Sequence, residues 1–192
     1  MIAIIYALMH KVNKDKVNRF LSPITPHYWA ESVTEIDYAQ LKKSEITTVV
    51  FDVDSTLVDH DDTTISADVS ASVRKAVKTK SIRQVVLATN RRKDDFAAIR
   101  EALGQDVKFI HAKSFFNAKP FPAFYKRLDA ATSTQPSECI MVGDKLITDV
   151  LGANMHGMKT LHVDQLGKTT LARKLSLFRI IEKYLSDKYR KR

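Results

Sequence analysis

The sequence predicts an α/β fold of three layers, in which helices cover both faces of a central parallel sheet. Two observations support this prediction. Apolar segments rich in β-branched residues alternate with amphipathic segments along most of the chain, as they do where strands are joined by crossover helices. The strand-like segments are also apolar at successive positions, as in residues 47–53, and this composition is typical of strands that are covered on both faces.

The elements follow one another in a regular order from residue 47 onward. Helices are indicated by apolar residues at intervals of three or four, as at Val69, Val73 and Val77. We predict strands over residues 47–53, 84–88, 107–110, 138–142 and 159–163. We predict helices over residues 68–78, 93–103, 123–131 and 147–154. Their alternation favours right-handed crossovers between parallel strands.

The length of 192 residues and the hydrophobic content of 44% suffice for one domain with extensions. We predict a lead-in over residues 1–46 that packs on the core or faces a membrane, a core over residues 47–166, and a basic amphipathic helix over residues 167–192. Residues 1–9 are apolar but too few to span a bilayer, which takes about 20 residues. With a single cysteine the chain forms no internal disulfide. We expect a cytoplasmic protein, with peripheral attachment to a membrane as an open alternative.

The net charge of +9 is concentrated at the C-terminal end. Residues 168–192 contain nine Lys or Arg and two acidic residues, and so carry +7 of this charge. Apolar residues recur there with helical spacing, at Leu171, Leu175, Phe178, Ile181, Leu185 and Tyr189. The pattern fits binding to an anionic membrane surface, or packing on the core with the charges in solvent. RNA binding is a weaker alternative, because no stacking-platform motif accompanies the basic residues.

Polar side chains follow three of the predicted strands, at the points where the apolar runs end. Because the carboxyl ends of parallel strands lie at one edge of the sheet, we expect these side chains to converge. A lysine that precedes a proline joins them from the connection after the third strand. The candidate site residues are Asp52, Asp54, Thr89, Asn90, Lys119, Asp144 and Asp149.

Four carboxylates, one hydroxyl and one ammonium suit a divalent cation and a phosphoryl group. Mg²⁺ prefers carboxylate oxygens, water and phosphate, and it would hold the mutually repelling Asp52 and Asp54. One carboxylate can attack phosphorus, and a second can carry the proton. Each residue also has an ordinary explanation when taken alone, such as a turn or helix cap for Asp52 and Thr89 and a solvated surface for Lys119. Their joint order along the chain favours a site.

The same residues resemble the four signature motifs of the haloacid dehalogenase (HAD) superfamily. These motifs are D-x-D-x-T at residues 52–56, a hydroxyl residue after the second strand, a lysine, and Gly-Asp followed by a further Asp. The resemblance implies a Rossmann-like HAD fold and a phosphatase that forms an aspartyl-phosphate. It also implies that Asp52 is the nucleophile and Asp54 the general acid and base.

The resemblance assigns the remaining residues to substrate and metal. Thr89, Asn90 and Lys119 would bind the phosphate. Mg²⁺ would be held by the three other acidic side chains and by the backbone carbonyl of the acid and base. The implied metal ligands are Asp52, Asp54, Asp144 and Asp149.

The segment GDKLITDVLGAN at residues 143–154, together with Lys119-Pro120 and the basic C-terminal helix, is similar to HAD subclass IIIA. Within that subclass the chain resembles the group of YqeG-like and phosphatidylglycerophosphate phosphatases. It departs from the group at Ser55, where Asn is expected, and at residues 88–90, where Ala-Thr-Asn replaces the usual Ser-Asn-Asn.

Short connections predict a site without a cap domain. Only 34 residues lie between Asp54 and Thr89, and a flap, a helix and a strand use nearly all of them. An open site suits a bulky substrate such as a lipid head group, a phosphoprotein or a nucleic-acid end, or a small substrate covered by an oligomeric neighbour. The resemblance favours Mg²⁺-dependent dephosphorylation of phosphatidylglycerophosphate at an anionic membrane. The alternatives are a soluble phosphatase for a nucleotide, sugar phosphate or phosphoprotein, and an interaction protein that binds RNA or a ribosomal particle through residues 168–192.

Overall fold

A computed structural model describes residues 21–60, 62–104 and 107–167, together with Ile181, Tyr184, Leu185 and Asp187. The apolar segment 1–9 and most of the helix predicted over residues 167–192 lie outside these residues. The division of the chain into three parts stays a prediction. In the described part of the chain, no helix combines the length and the apolar composition that crossing a bilayer requires.

The described residues contain one sheet of six parallel strands, in the order β1-β6-β5-β2-β3-β4. The strands are β1 (Tyr28–Ala30), β2 (Thr48–Phe51), β3 (Gln84–Thr89), β4 (Val107–His111), β5 (Cys139–Gly143) and β6 (Lys159–Val163). The predicted α/β class with a central parallel sheet is confirmed. Strand β2 lies in the middle, between β5 and β3, so the residues that follow it lie at the centre of the carboxyl edge.

Five α-helices cover this sheet in the described part of the chain. They are α1 (Tyr38–Lys43), α2 (Ala67–Lys78), α3 (Ala97–Leu103), α4 (Pro122–Thr132) and α5 (Gly152–His156). A π-helix over Leu146–Leu151 leads directly into α5. Short 3₁₀ turns occur at Ser22–Ile24, Val33–Glu35, Phe115–Asn117 and Pro136–Glu138.

Successive residues of the central strands are buried on opposite faces of the sheet. Val49 and Phe51 lie in one apolar cluster with Val73 of α2. Val50 lies in another cluster with Phe124 of α4. Because both faces are covered, successive inner positions of the central strands are apolar, which is why the sequence shows apolar runs there rather than alternation.

Two predicted helices differ in their boundaries. The helix predicted from residue 93 begins at Ala97, and the acidic residues before it, Asp94 and Asp95, pair with Arg100 and Arg91. The segment predicted as a helix over 147–154 is a π-helix followed by α5. π-Helical turns are uncommon and often occur at functional sites, and no local sequence pattern predicts them.

The lead-in contributes a strand that the sequence analysis did not predict. Strand β1 pairs with β6 in parallel, with Trp29 opposite His162. Three residues are too few to show a periodicity, so only the pairing partner reveals the strand. Helix α1, six residues long, escaped prediction for the same reason.

Part of the predicted C-terminal apolar stripe packs on the domain. Leu185 of the stripe is buried in a cluster with Leu21 and with Leu146 of the π-helix, and Ile181 of the stripe packs against the same cluster. Tyr184, which is not part of the predicted stripe, is buried there as well. For these positions the structure favours packing on the core over exposure to lipid.

Candidate active site

The site lies at the carboxyl edge of the sheet, around Asp52. The backbone N–H of Asp52 donates to the carbonyl of Val142 in β5 at 2.8 Å, so the end of β2 is fixed against its neighbour. Since β3 and β5 flank β2, the connections that leave these strands bring Thr89 and Asp144 to the same place. The sequence predicts that these residues converge, because parallel strands end at one common edge of the sheet. The strand order in the structure places them together at that edge.

A tight turn follows Asp52 and directs the chain back over the site. The carbonyl of Val53 accepts from the backbone N–H groups of Thr56, Leu57 and Val58 at 2.9–3.3 Å. Ser55 adopts a positive φ of 66°, a conformation that Asn tolerates better than most residues. The chain thus has Ser in place of the expected Asn at a position whose backbone conformation favours Asn.

Lys119 connects two of the buried carboxylates. Its ammonium donates to Oδ1 of Asp52 and to Oδ1 of Asp149, each at 2.7 Å, and to the carbonyl of Ala88 at 2.9 Å. All three charged side chains are buried. The lysine therefore compensates charges that would otherwise be costly to remove from water.

Asn90 fixes the backbone of Lys119. Its side-chain amide donates to the carbonyl of Lys119 at 2.9 Å, and its Oδ1 accepts from the N–H of Lys119 at 2.8 Å. The sequence analysis assigned Asn90 to phosphate binding, which stays a prediction. In the structure its side chain positions the lysine, and the Lys119-Pro120 peptide bond is cis.

The ionisation of this group follows from its burial. Burial acts to lower the pKa of Lys119, but Asp149 and Asp52 outweigh it and hold that pKa above its usual value. Burial, together with the charge of Asp149, raises the pKa of Asp52, while Lys119 and Lys145 oppose the rise. The pKa values of Lys119 and Asp52 are both raised. The two shifts are compatible, because one ammonium lies between two carboxylates.

Asp144 and Asp149 bring two further carboxylates to the same point. Asp149 lies in the π-helix, and its Oδ2 accepts from the backbone N–H of Lys145 at 3.0 Å. A Cβ on Gly143 would lie 2.5 Å from Cγ of Asp149, so this close approach requires glycine. Oxygens of Asp52, Asp144 and Asp149 lie within 4.8 Å of one another, a donor set that suits a hard divalent cation.

Lys145 is a residue of the site that the sequence analysis did not assign. Its ammonium lies 3.0 Å from Oδ1 of Asp144, 3.1 Å from the carbonyl of Asp54 and 3.6 Å from Oδ2 of Asp52. These are three of the four groups that the resemblance assigns to the metal. Asp144, Asp52 and Asp149 hold the pKa of Lys145 above its usual value, although burial acts to lower it. Its position directly after Asp144 was the one signal in the sequence.

Asp54 occupies a different environment from Asp52. Its carboxylate accepts from Nε of Arg91 at 2.7 Å and from the hydroxyl of Thr89 at 3.2 Å. Arg91 also donates to the carbonyl of Asp62 at 2.6 Å. Asp62 lies in the flap, which is the loop between the turn after Asp52 and helix α2. Arg91 directly follows the candidate residues Thr89 and Asn90 in the sequence, and the structure places its guanidinium on Asp54.

These side chains surround an open cleft of about 280 Å³. Between Asp54 and Thr89 the described chain forms only the flap, α2 and β3, and the predicted absence of a cap domain holds for this connection. The cleft is lined by Asp52, Asp54, His60, Asn90, Arg91, Lys119, Lys145 and Thr148.

Comparisons with known proteins show similarity to phosphatases. A family model described as mitochondrial PGP phosphatase matches residues 10–166. The probable phosphatase YqeG of Bacillus subtilis is 25% identical over 138 residues, which are 72% of this chain and 76% of the relative. A glyceraldehyde 3-phosphate phosphatase of Pyrococcus furiosus is 46% identical over 43 residues, which are 22% of this chain and 18% of the relative.

One solved structure supports the fold. An uncharacterised protein from Listeria monocytogenes superposes with a TM-score of 0.52 at 17% identity, covering 66% of this chain and 84% of that protein.

Replacing Lys119 tests how far the site depends on its ammonium. In Lys119→Met the carboxylates of Asp52 and Asp149 remain buried without their cation, and the loss of one partner from such a group costs about 3–5 kcal/mol. We expect this loss in the free energy of unfolding, measured by urea denaturation with a chelator present. The control Lys126→Met removes an exposed lysine of α4 and should change stability by less than about 0.5 kcal/mol. Equal stability of the two variants would contradict the expected role of the ion group.

Proposed function

The chain belongs to the PGP phosphatase family and is a HAD-type phosphatase, and we propose that it hydrolyses phosphatidylglycerophosphate to phosphatidylglycerol and inorganic phosphate at a membrane surface. The observation that carries the phosphoryl-transfer chemistry is the presence of two carboxylates with different partners in one cleft, and the family match supports the lipid substrate. Asp52 is buried against Lys119, and Asp54 is held by Arg91. Two carboxylates that line one cleft can divide the roles of nucleophile and of acid and base between them.

In the proposed first step, Asp52 attacks the phosphorus of the phosphate monoester. A bond forms between a carboxylate oxygen and phosphorus, and the ester P–O bond breaks. Asp54 donates its proton to the departing alkoxide, which leaves as phosphatidylglycerol. An aspartyl-phosphate remains on Asp52.

In the second step, Asp54 accepts a proton from water, and the resulting hydroxide attacks the phosphorus. The bond to Asp52 breaks, inorganic phosphate leaves, and both carboxyl groups return to their starting states. Arg91 orients Asp54 in both steps through the bond to its Oδ1. The hydroxyl of Thr89 lies beside Asp54, where we place the phosphoryl oxygens together with the ammonium of Lys119.

The buried oxygens of Asp52, Asp144 and Asp149, with the carbonyl of Asp54, fit Mg²⁺ by their chemistry. All are oxygen donors, and the three carboxylates exceed the two ammonium groups in contact with them by one charge. When bound there, Mg²⁺ would neutralise the charge on the transferring phosphoryl group, which is much of what phosphoryl transfer requires.

A second candidate is the hydrolysis of a soluble phosphomonoester. The burial of Tyr184 and Leu185 on the domain favours it, because these residues are then withdrawn from lipid. The lipid proposal does not depend on them, since the cleft is open in the part of the chain that the structure describes. The two candidates share the mechanism and differ in the substrate alone.

Phosphate release from defined substrates tests the proposal. We expect release from phosphatidylglycerophosphate in anionic vesicles with Mg²⁺, and its loss when a chelator is added. A panel of soluble nucleotides, sugar phosphates and a phosphopeptide serves as the comparison. Release from the soluble esters alone would refute the lipid substrate and leave the mechanism in place.

Replacing the nucleophile tests the mechanism. Because Asn lacks the negative oxygen that attacks phosphorus, Asp52→Asn should lower kcat by roughly 1,000-fold or more. Circular dichroism should show that the fold is kept. The matched control Asp68→Asn changes an exposed carboxylate of α2 and should retain full turnover. Comparable turnover in Asp52→Asn and the wild type would exclude the aspartyl-phosphate.

Replacing Lys145 tests the metal assignment without recourse to turnover. Its ammonium lies on three of the oxygens that the proposal gives to Mg²⁺, so it competes with the metal for them. We expect Lys145→Gln to bind Mg²⁺ about tenfold more tightly, since a nearby like charge has been removed. Isothermal titration of Mg²⁺ into the substrate-free protein measures the change, with Lys126→Gln as the control. Unchanged or weaker binding would place the metal elsewhere.

A further inference from the structure

Three phenylalanines form an exposed aromatic surface, here termed the Phe115 patch, which comprises Phe115, Phe116 and Phe121. The ring centroids lie 5.3–5.9 Å apart. Phe115 is 61% exposed and Phe116 is 72% exposed. Large aromatic side chains are normally buried in the protein or in an interface. An exposed group of them therefore indicates a binding surface.

The patch belongs to the same connection that delivers Lys119 to the site. Phe115 and Phe116 lie in the 3₁₀ turn between β4 and α4, and Lys119 follows two residues after the turn. Two backbone hydrogen bonds stabilise the turn. The N–H of Ala118 donates to the carbonyl of Phe115 at 3.2 Å, and the N–H of Phe121 donates to the carbonyl of Ala118 at 2.9 Å. The exposed rings are therefore fixed relative to the catalytic lysine.

Positive charge accompanies the patch at the same edge of the sheet. Lys113 precedes it on the same connection, and Arg92 and Lys93 lie on the neighbouring connection after β3. All three are exposed, and none forms an ion pair with another residue in the part of the chain that the structure describes. The nearby acids of that connection are already engaged, since Asp94 pairs with Arg100 and Asp95 pairs with Arg91.

We propose that the Phe115 patch is the surface by which this enzyme docks on an anionic phospholipid bilayer. The rings enter the interface between head groups and acyl chains, a depth that aromatic side chains favour. Lys113, Arg92 and Lys93 lie over the anionic head groups, where each basic residue contributes about 1 kcal/mol. Docking in this orientation presents the open cleft to a lipid phosphate. The proposal rests on the lipid substrate proposed above, and it assigns the contact to a different region from residues 168–192.

Two features of the molecule favour a bilayer at this place. The described residues of the C-terminal stripe are turned into the domain, so among the described residues the Phe115 patch is the larger exposed apolar surface near the cleft. Met155 is also exposed, by 75%, but it lies in α5 near His27 and Pro26, which precede β1. Met155 is therefore at the opposite edge of the sheet, and it provides a matched control.

Vesicle binding tests the docking surface without reference to catalysis. The full-length double variant Phe115→Ser/Phe116→Ser is compared with the wild type by co-sedimentation with phosphatidylcholine vesicles, with or without phosphatidylglycerol. Removing two rings from the interface should lower the partition onto anionic vesicles by about tenfold or more. Met155→Ser should bind as the wild type does. Hydrolysis of soluble p-nitrophenyl phosphate should be equal in all three proteins, because none of these side chains lines the cleft.

A fluorescence measurement provides a second, independent test. In Phe116→Trp the new indole should shift its emission to the blue when anionic vesicles are added, whereas the wild type, with Trp29 alone, sets the background. The absence of a shift would overturn the proposal, as would wild-type vesicle binding by the double variant or no vesicle binding by the wild type. Loss of self-association in the double variant, with vesicle binding unchanged, would assign the patch to a second copy of the chain.

The results separate this inference from the proposed function. These vesicles contain no phosphate monoester, so binding through the patch is measurable whatever the substrate is. Binding that depends on the patch, without phosphate release from phosphatidylglycerophosphate, would retain the surface and refute the substrate. If phosphate release from phosphatidylglycerophosphate is unchanged by the double substitution, the substrate is retained and the docking surface is refuted.

Discussion

The contact of Lys119 with Asp52 and Asp149 is the constraint on which the rest of the site depends. Two carboxylates buried side by side repel each other and lose their hydration, and the ammonium between them compensates for both. To reach that point, the connection from β4 to α4 must turn toward β2, and Asn90 fastens its backbone there. The position of the cleft, of the cation donors and of the exposed aromatic turn follows from this one arrangement.

The site divides its acidic residues between two electrostatic environments. Asp52, Asp144 and Asp149 share a buried pocket with Lys119 and Lys145, whereas Asp54 lies nearer the rim, where Arg91 and Thr89 hold it. The proposed mechanism gives the carboxylates of the two environments different roles, namely the attack on phosphorus and the exchange of protons with substrate and water. Arg91 also connects Asp54 to the carbonyl of Asp62, which lies two residues after His60 of the cleft lining.

Composition and structure draw attention to different surfaces of the molecule. The basic C-terminal segment dominates the charge, and its apolar stripe is compatible with lipid or with the core. The structure places Tyr184 and Leu185 in the core and leaves Phe115 and Phe116 exposed on the connection that carries Lys119. Under the proposed function, the residues that orient the enzyme on a bilayer and those that bind the phosphate thus share one short connection.

The sequence by itself determined the α/β class, the approximate strands and the convergence of the candidate residues, because strand periodicity and the common edge of a parallel sheet are properties of short segments and of strand order. It did not reveal β1, the π-helix that carries Asp149, or the contacts of Lys145 and Arg91. These depend on residues that lie far apart in the chain, as Lys145 and Asp54 do. Local patterns record which face of an element is apolar, whereas the partner of a charged side chain is decided only when packed elements bring two distant segments to within a few ångströms.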